Sequence, residues 1–307
     1  MPGRTAGRSP SLPALSPPDI EAAKKMARTA ESRIRVIVRK RPLNEEEVAE
    51  GYSDIIEVQD SGSSALSSAH VAVHEPKVKV DLTKYVETVR FRFDAVYGGA
   101  SDNTQVYAGT AGRLIQRIFE RGQSSTVFAY GATGSGKTHT MLGTEDEPGI
   151  YMLAARDIFE TLAQPKHADL ELRVSSYEIY SSKVFDLLND RAVCPIREDA
   201  RKRVNVVGLS ETAVGDLATF RSVLMLMAEA RQTAATCAHA ESSRSHACLQ
   251  LTLRRRDAGA ATERSSADTG HFRFVDLAGT ERGADREREL QASRESEPIL
   301  LIVSSYT

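Results

Sequence analysis

The sequence predicts an α/β fold, a central and mostly parallel sheet with helices on both faces, built around a phosphate-binding loop. Three observations carry that expectation. Residues 131–138 fit the spacing GxxxxGK[ST], in which glycine-allowed turns let successive backbone N–H groups converge on phosphate oxygens. A β-branched and aromatic run at 125–130 precedes the loop as a buried strand would, and helix-like sequence from His139 follows it, so that a helix N-terminus faces the anion. Strand-like and helix-like segments alternate along most of the chain.

Taken in order, residues 1–18 are dominated by Pro, Ser, Gly, Ala and Arg and read as a disordered extension, and 19–32 as a weakly apolar, frayed helix or linker. The folded part begins at Arg33, where 33–39 alternate apolar and basic residues as a half-buried strand does, until Arg41 and Pro42 stop it. Residues 71–73 and 78–80 alternate around His74, Glu75 and Pro76 and predict a hairpin. Helical spacing covers 105–120, with Val106, Leu114, Ile115, Ile118 and Phe119 on one stripe. Beyond the loop, 150–162 predicts an amphipathic helix, 172–177 a strand and 184–188 another apolar segment. A helix with a Met and Leu core stripe spans 218–232, and strands follow at 248–253 and 271–276. No internal repeat and no sustained heptad occur, so no coiled-coil dimerisation seam is expected.

At 307 residues the chain has room for one large α/β domain or two small ones. The apolar run at 299–303 is too short to span a bilayer and the N-terminus lacks the apolar segment of a signal peptide, so a cytoplasmic protein without membrane contact is expected. Cys194, Cys237 and Cys248 are an odd set without metal-ligand spacing and read as free buried thiols. A net charge of −2 gives no reason to expect a nucleic-acid partner. The basic residues of 1–43 stand as solvated disorder, with contact to an acidic polymer as the alternative.

The chemistry gathers in three places. In the loop Gly131, Ala132, Thr133, Gly134, Ser135, Gly136, Lys137 and Thr138, the lysine neutralises phosphate charge and the Thr138 hydroxyl suits Mg²⁺. Asp276 ends an apolar strand and Gly279 follows three residues later; a carboxylate there suits an Mg²⁺ water and the glycine N–H a terminal phosphate, whose cleavage would register as a change of loop shape. Alone, Asp-x-x-Gly is an ordinary strand-to-turn junction; beside a phosphate loop it becomes a sensor. Ser242, Ser243, Arg244, Ser245 and His246 supply hydroxyls and a guanidinium just before a strand. By itself that run is a flexible loop, but in this company it reads as a second switch, with Arg244 placed to pair with Glu281.

Together these motifs resemble a kinesin motor head over 33–285, and the fold implied is the kinesin-type P-loop NTPase. Residues 242–246 resemble that family's switch I, 276–281 its switch II, and Arg39, Arg41 and Pro42 its adenine-contacting element. Residues 38–44, 74–85 and 281–285 resemble the kinesin-13 group, internal motors that depolymerise microtubules, in which a finger matching Lys79, Val80 and Asp81 presses on tubulin. The resemblance implies ATP and Mg²⁺ as cofactors, tubulin or the microtubule as partner, and a place on the cytoskeleton. It implies that the loop through His139 holds the nucleotide, that Thr138, Ser243 and Asp276 organise Mg²⁺, and that Ser242, Arg244, Gly279 and Glu281 close the switches and position the attacking water. A GTPase would share the phosphate loop and Asp-x-x-Gly, but no Asn-Lys-x-Asp motif is present.

The sequence departs from the family's pattern at Ala132, where Gln is usual, and at His239, where Asn is usual and imidazole lacks the amide's donor and acceptor pair. The larger departure is 286–307, a charged stretch that leads into 299–303 in place of the family's microtubule-facing helices and last core strand. The expectation is a partial head with a divergent tail, an incomplete sheet and uncovered apolar surface. A non-catalytic nucleotide- or tubulin-binding fragment is the alternative to an active ATPase.

Overall fold

The computed structural model describes residues 34–59, 69–200, 202, 204–237, 244–256, 268–280 and 299–306. The alternation at the start of the folded part forms β1 (Ile34–Lys40), which buries Ile37 on one face of the sheet and Val38 on the other. A short helix α1 (Glu45–Ala49) follows, held by a capping box between Asn44 and Glu47 but burying no residue.

Next come β2 (Ile56–Gln59), β3 (Ala69–Val78) and β4 (Lys84–Phe93), a separate three-stranded antiparallel sheet in the order β2–β3–β4. The expected hairpin exists, but its turn lies elsewhere. Residues His74, Glu75 and Pro76 continue β3, paired with Thr88, Glu87 and Val86 of β4, and the chain reverses at Lys79–Thr83 instead. Proline is tolerated there because His74 N–H points towards β2, donating to Ile55 O at 2.8 Å. Pro76, two residues on, faces the same side, where β2 has already ended.

After β5 (Ala95–Tyr97), the helix expected at 105–120 is two: α2 (Asn103–Gly109) and α3 (Gly112–Arg121). Thr110 breaks the run at φ −116° and ψ −94°, its hydroxyl bonding back to Val106 O at 2.7 Å. Then come β6 (Ser125–Tyr130), α4 (Lys137–Met141) and α5 (Ile150–Leu162), the last as expected. The strand β7 (Leu170–Tyr180) turns through Ser181 and Ser182, both at positive φ, into β8 (Lys183–Asp186). Short strands β9 (Ala192–Cys194), β10 (Ile196–Glu198), β11 (Val204–Val206) and β12 (Thr212–Val214) lead to the long helix α6 (Leu217–Cys237). The series closes with β13 (His246–Arg255), β14 (Asp268–Asp276) and β15 (Ile299–Tyr306).

The ten-stranded main sheet runs β5–β1–β15–β6–β14–β13–β7–β8–β9, with β12 also on β7. It is mixed, not mostly parallel: among the described residues only β1–β5 and β6–β14 are parallel, and the other neighbours are antiparallel. Both parallel pairs join strands far apart in sequence, as parallel pairing requires.

One face of this sheet carries the helices. Val106, Ile115, Ile158 and Phe220 pack there with Val127, Leu249 and Phe272 in one buried cluster. At the β1–β15 end of the other face the small sheet docks, through Ile56 and Val71 against Val38, Ile299 and Leu301. Among the described residues, the helical layer expected on both faces therefore occupies one.

The expected gap in the sheet is filled. Residues 299–306 form β15, antiparallel to β1 on one side and to β6 on the other. Leu300 and Ile302 are fully buried on the helical side while Ile299 and Leu301 pack beneath the small sheet. A run apolar at every position is what a strand covered on both faces needs. Cys194 and Cys248 are free and buried as expected, and no described helix is long and apolar enough to cross a membrane.

If β15 carries this much of the core, Ile302→Ala lowers unfolding free energy by about 2–5 kcal/mol, read by denaturant titration, while Ser305→Ala stays within about 0.5 kcal/mol of the parent.

Candidate nucleotide site

The β6 strand delivers the chain to Gly131, where space is the first constraint. A Cβ on Gly131 would lie 2.9 Å from the carbonyl oxygen of Ile299 and 2.6 Å from Ser135 Oγ, so β15 presses directly on the root of the loop. Gly134 and Gly136 take φ of 83° and 93°, a left-handed backbone that costs other residues about 1–2 kcal/mol. Lys137 Nζ folds back to donate to the carbonyls of Gly131 and Ala132, each at 2.8 Å. Ala132 O also accepts from Ser135 N at 3.2 Å. The unusual residue at 132 thus serves the loop through its backbone. The helix that follows begins at Lys137, two residues earlier than expected, and is only five residues long. Anion affinity there rests on the loop's N–H groups and on Lys137 more than on a helix dipole.

Parallel pairing of β14 with β6 sets Asp276 beside Ala129, and Leu277 N–H continues the ladder to Ala129 O at 3.1 Å. The carboxylate therefore opens into the same cleft as the loop. That cleft, of about 200 Å³, is lined by Thr133, Gly134, the run Gly136 to His139, Asp276, Leu277 and Arg231 of α6. Asp276 is 4% exposed. Its Oδ2 accepts from Arg231 Nη1 at 3.0 Å, while Oδ1 is buried with no hydrogen-bond partner among the described residues. Burial, and next the Asp276 charge, hold the neighbouring Tyr151 phenol well above its usual pKa.

Arg231 also approaches Glu178 of β7, its Nε standing 3.9 Å from Oε1, and Glu178 Oε2 accepts from Arg191 Nη1 at 2.5 Å. His246 joins the two loops: its Nδ1 accepts from Ala278 N–H at 3.0 Å, which leaves any proton of the neutral ring on Nε2.

The residues expected in the site are not all brought together. The phosphate loop, Thr138, His139 and Asp276 converge. Gly279 follows in the turn after β14 and Arg244 stands exposed at the entry to β13. Ser242, Ser243, Glu281 and His239 lie outside the described residues. Arg39 faces inward: its guanidinium donates to Asn103 Oδ1 at 2.5 Å, Thr140 Oγ1 at 2.8 Å and Ser101 O at 3.0 Å. It ties β1 to α2 and α4 beneath the cleft and does not line it. Burial, opposed by Glu147 and Asp102, shifts it below the ordinary arginine pKa. Arg41 is gripped by both carboxylate oxygens of Glu47, at 2.6 and 2.9 Å, and its Cδ comes within 3.9 Å of a Cβ built on Gly136. Lys79, Val80 and Asp81 sit apart, at the tip of the β3–β4 hairpin.

Sequence reasoning missed Arg231 and Glu178 as site residues, and it placed His246 in the second switch without its bond to Ala278. Glu178 had a signal, a carboxylate inside an otherwise apolar strand; Arg231, late in an amphipathic helix, had none.

The orphaned Asp276 Oδ1, the Thr138 position and the cationic loop are a hard-oxygen and positive set that fits Mg²⁺ with a polyphosphate. The family model that matches is the kinesin motor domain, over residues 39–302. This chain belongs to the kinesin motor domain family. Human kinesin-like protein KIF24 is 42% identical over 275 residues, covering 88% of this chain and 19% of its own length. The chain thus spans about a fifth of that relative. A solved structure of a fast kinesin superposes with a TM-score of 0.65 at 29% identity, covering 81% of this chain and 66% of that one. Kinesin motor domains are microtubule-stimulated ATPases that bind ATP with Mg²⁺. The family match reaches Ile302 and so includes part of the strand that fills this kinesin head's sheet.

The two kinds of loop glycine are expected to behave differently. Gly134→Ala, with nothing within 4 Å of its Cβ, costs about 1–2 kcal/mol of backbone strain, whereas Gly131→Ala must displace the Ile299 backbone and lowers the melting temperature further. A Gly131→Ala protein that melts no lower than Gly134→Ala contradicts the close contact of β15 with the loop.

Proposed function

We propose that this chain is an ATP-dependent microtubule motor or depolymerase head of kinesin-13 type, coupling ATP hydrolysis to microtubule binding or end disassembly. The observation that carries the catalytic part is the pairing of the phosphate loop with a buried, cleft-lining aspartate whose one oxygen is held by Arg231 and whose other has no partner among the described residues. In this reading Lys137 exchanges the carbonyls of Gly131 and Ala132 for phosphate oxygens, and the N–H groups of Gly134 to Thr138 surround the anion. Thr138, Ser243 and Asp276 would hold Mg²⁺, which would neutralise charge on the transferred phosphoryl group. Ser242, Arg244, Gly279 and Glu281 close over the γ-phosphate and place the water, while His246 holds the turn after Asp276 against the start of β13. Catalysis is then mostly positioning and preorganised charge.

The depolymerase part is supported by the hairpin. Its tip stands well out from the small sheet, with Val80 fully exposed and Leu82 80% exposed at φ 66°. The turn is nonetheless held in shape: Lys79 N–H donates to Thr83 O and Leu82 N–H to Lys79 O, both at 2.9 Å, and Asp81 Oδ1 accepts from Thr83 N–H at 3.0 Å. That backbone bond keeps the Asp81 carboxyl below its usual pKa. A preformed finger with an apolar point and a charge of each sign suits insertion against another protein.

Two measurements test the proposal. Microtubules are expected to stimulate ATP hydrolysis by the purified chain, and Lys137→Ala to weaken ATP binding by roughly 10- to 100-fold, the worth of a charge-assisted contact; retained ATP binding without stimulation would make the chain a nucleotide-binding fragment instead. In a microtubule-shortening assay, Lys79→Ala with Asp81→Ala is expected to slow end disassembly roughly tenfold or more and to leave ATP affinity unchanged. Unaltered shortening by that variant counts against the finger.

A further inference from the structure

Two carboxylates compete for one guanidinium at the floor of the cleft. Arg231 donates to Asp276 Oδ2 through Nη1 at 3.0 Å, and its Nε stands 3.9 Å from Glu178 Oε1. Glu178 lies within β7 and is 4% exposed, so its charge is costly to leave unpaired. Its other partner among the described residues is Arg191. Arg191 Nη1 donates to Glu178 Oε2 at 2.5 Å and reaches the carbonyl of Ala230, one residue before Arg231, at 3.4 Å. The same guanidinium lies over the Phe185 ring, 4.8 Å from its centroid. Asp190 and Arg191 hold φ of 43° and 57°, a backbone that residues with a Cβ adopt only where their surroundings impose it. A side chain fixed by a carboxylate, a helix carbonyl and an aromatic face is clamped on three sides.

We propose that Arg191 is a positioning residue for Asp276. By neutralising Glu178 it leaves Arg231 free to stay on Asp276 Oδ2, and that bond keeps Oδ1 turned into the cleft, where an Mg²⁺ water would be received. Without the Arg191 charge, Glu178 is the more needy anion and draws Arg231 across the short distance between the two. The arrangement also ties the β9–β11 lobe to the site, because Arg191 immediately precedes β9, a lobe that exposes Val193, Ile196 and Val204 to solvent. Anything that moves the lobe is then felt at the Mg²⁺ carboxylate. This inference rests on the reading of the cleft as an Mg²⁺–nucleotide site.

The test is the affinity of the whole chain for a fluorescent ATP analogue, measured across Mg²⁺ concentrations, with thermal melting to establish that each variant is folded. Arg191→Gln is expected to raise the Mg²⁺ concentration needed for tight binding by roughly tenfold or more, as loss of a partner behind a metal-holding carboxylate does. Combining it with Glu178→Gln is expected to return the requirement to within about threefold of the parent, since the competing anion is gone. A merely structural role predicts the opposite, added damage in the double variant. Arg191→Lys, which keeps the charge but not the fork, is expected to fall between the parent and Arg191→Gln; if Arg191→Gln does not fold, a parental Mg²⁺ requirement in Arg191→Lys overturns the proposal. It is likewise overturned by an unchanged requirement in folded Arg191→Gln, or by a double variant as impaired as the single one. Failure of the unsubstituted chain to bind the analogue at any Mg²⁺ concentration overturns the nucleotide reading itself, and this proposal with it.

Discussion

The parallel pairing of β6 with β14 is the constraint on which the rest of this structure depends. Two strands running the same way end at the same edge, so the loop after one and the aspartate closing the other meet without further arrangement. Everything else in the site adjusts to that meeting. From the long helix α6, Arg231 reaches the aspartate, and the backbone just after it is held to the start of β13 through His246. On the other side of β6, β15 fixes how closely the loop root lies to the sheet.

Arg39, Glu178 and Asp276 are buried charges at or beneath that site, and Arg254 is another at the far end of β13. Arg39, Glu178, Arg254 and Asp276 are each less than a tenth exposed, and such groups persist where partners satisfy them geometrically. Arg39 uses Nη1 to pin α2 and α4 to β1, and Nη2 to hold the Ser101 carbonyl just before α2. At Asp276 one oxygen is served by Arg231 and the other, among the described residues, is not. A buried carboxylate oxygen left without a partner among the described residues carries a desolvation cost that a cation bound there would offset.

Much of this was legible in the sequence. The β6 strand, the loop and α5 follow from a β-branched run, fixed glycine spacing and helical periodicity, all local signals. Strand direction was not legible, because β7 and β13 owe their antiparallel course to connections and partners that no local window contains. The hairpin turn was misplaced because Pro76 reads as a breaker, and only the early end of β2 explains why a strand passes through it. Residues 299–303 read as an ending, yet an apolar run without alternation is the mark of a strand covered on both faces. In the site, the loop and Asp276 announced themselves by spacing. Arg231 did not, since its role depends on a helix crossing the end of a strand 45 residues later in the chain.

The proline in β3 has a consequence beyond its own strand. A hairpin that projects past its neighbour carries bare backbone along one side and, at Val78 and Val86, apolar side chains well exposed to water, the ingredients of edge-to-edge aggregation. Pro76 removes a donor from that bare side, and next to it Lys77 bridges Glu75 and the facing Glu87. That side of β3, though not the outer edge of β4, is thereby a poor template for an added strand.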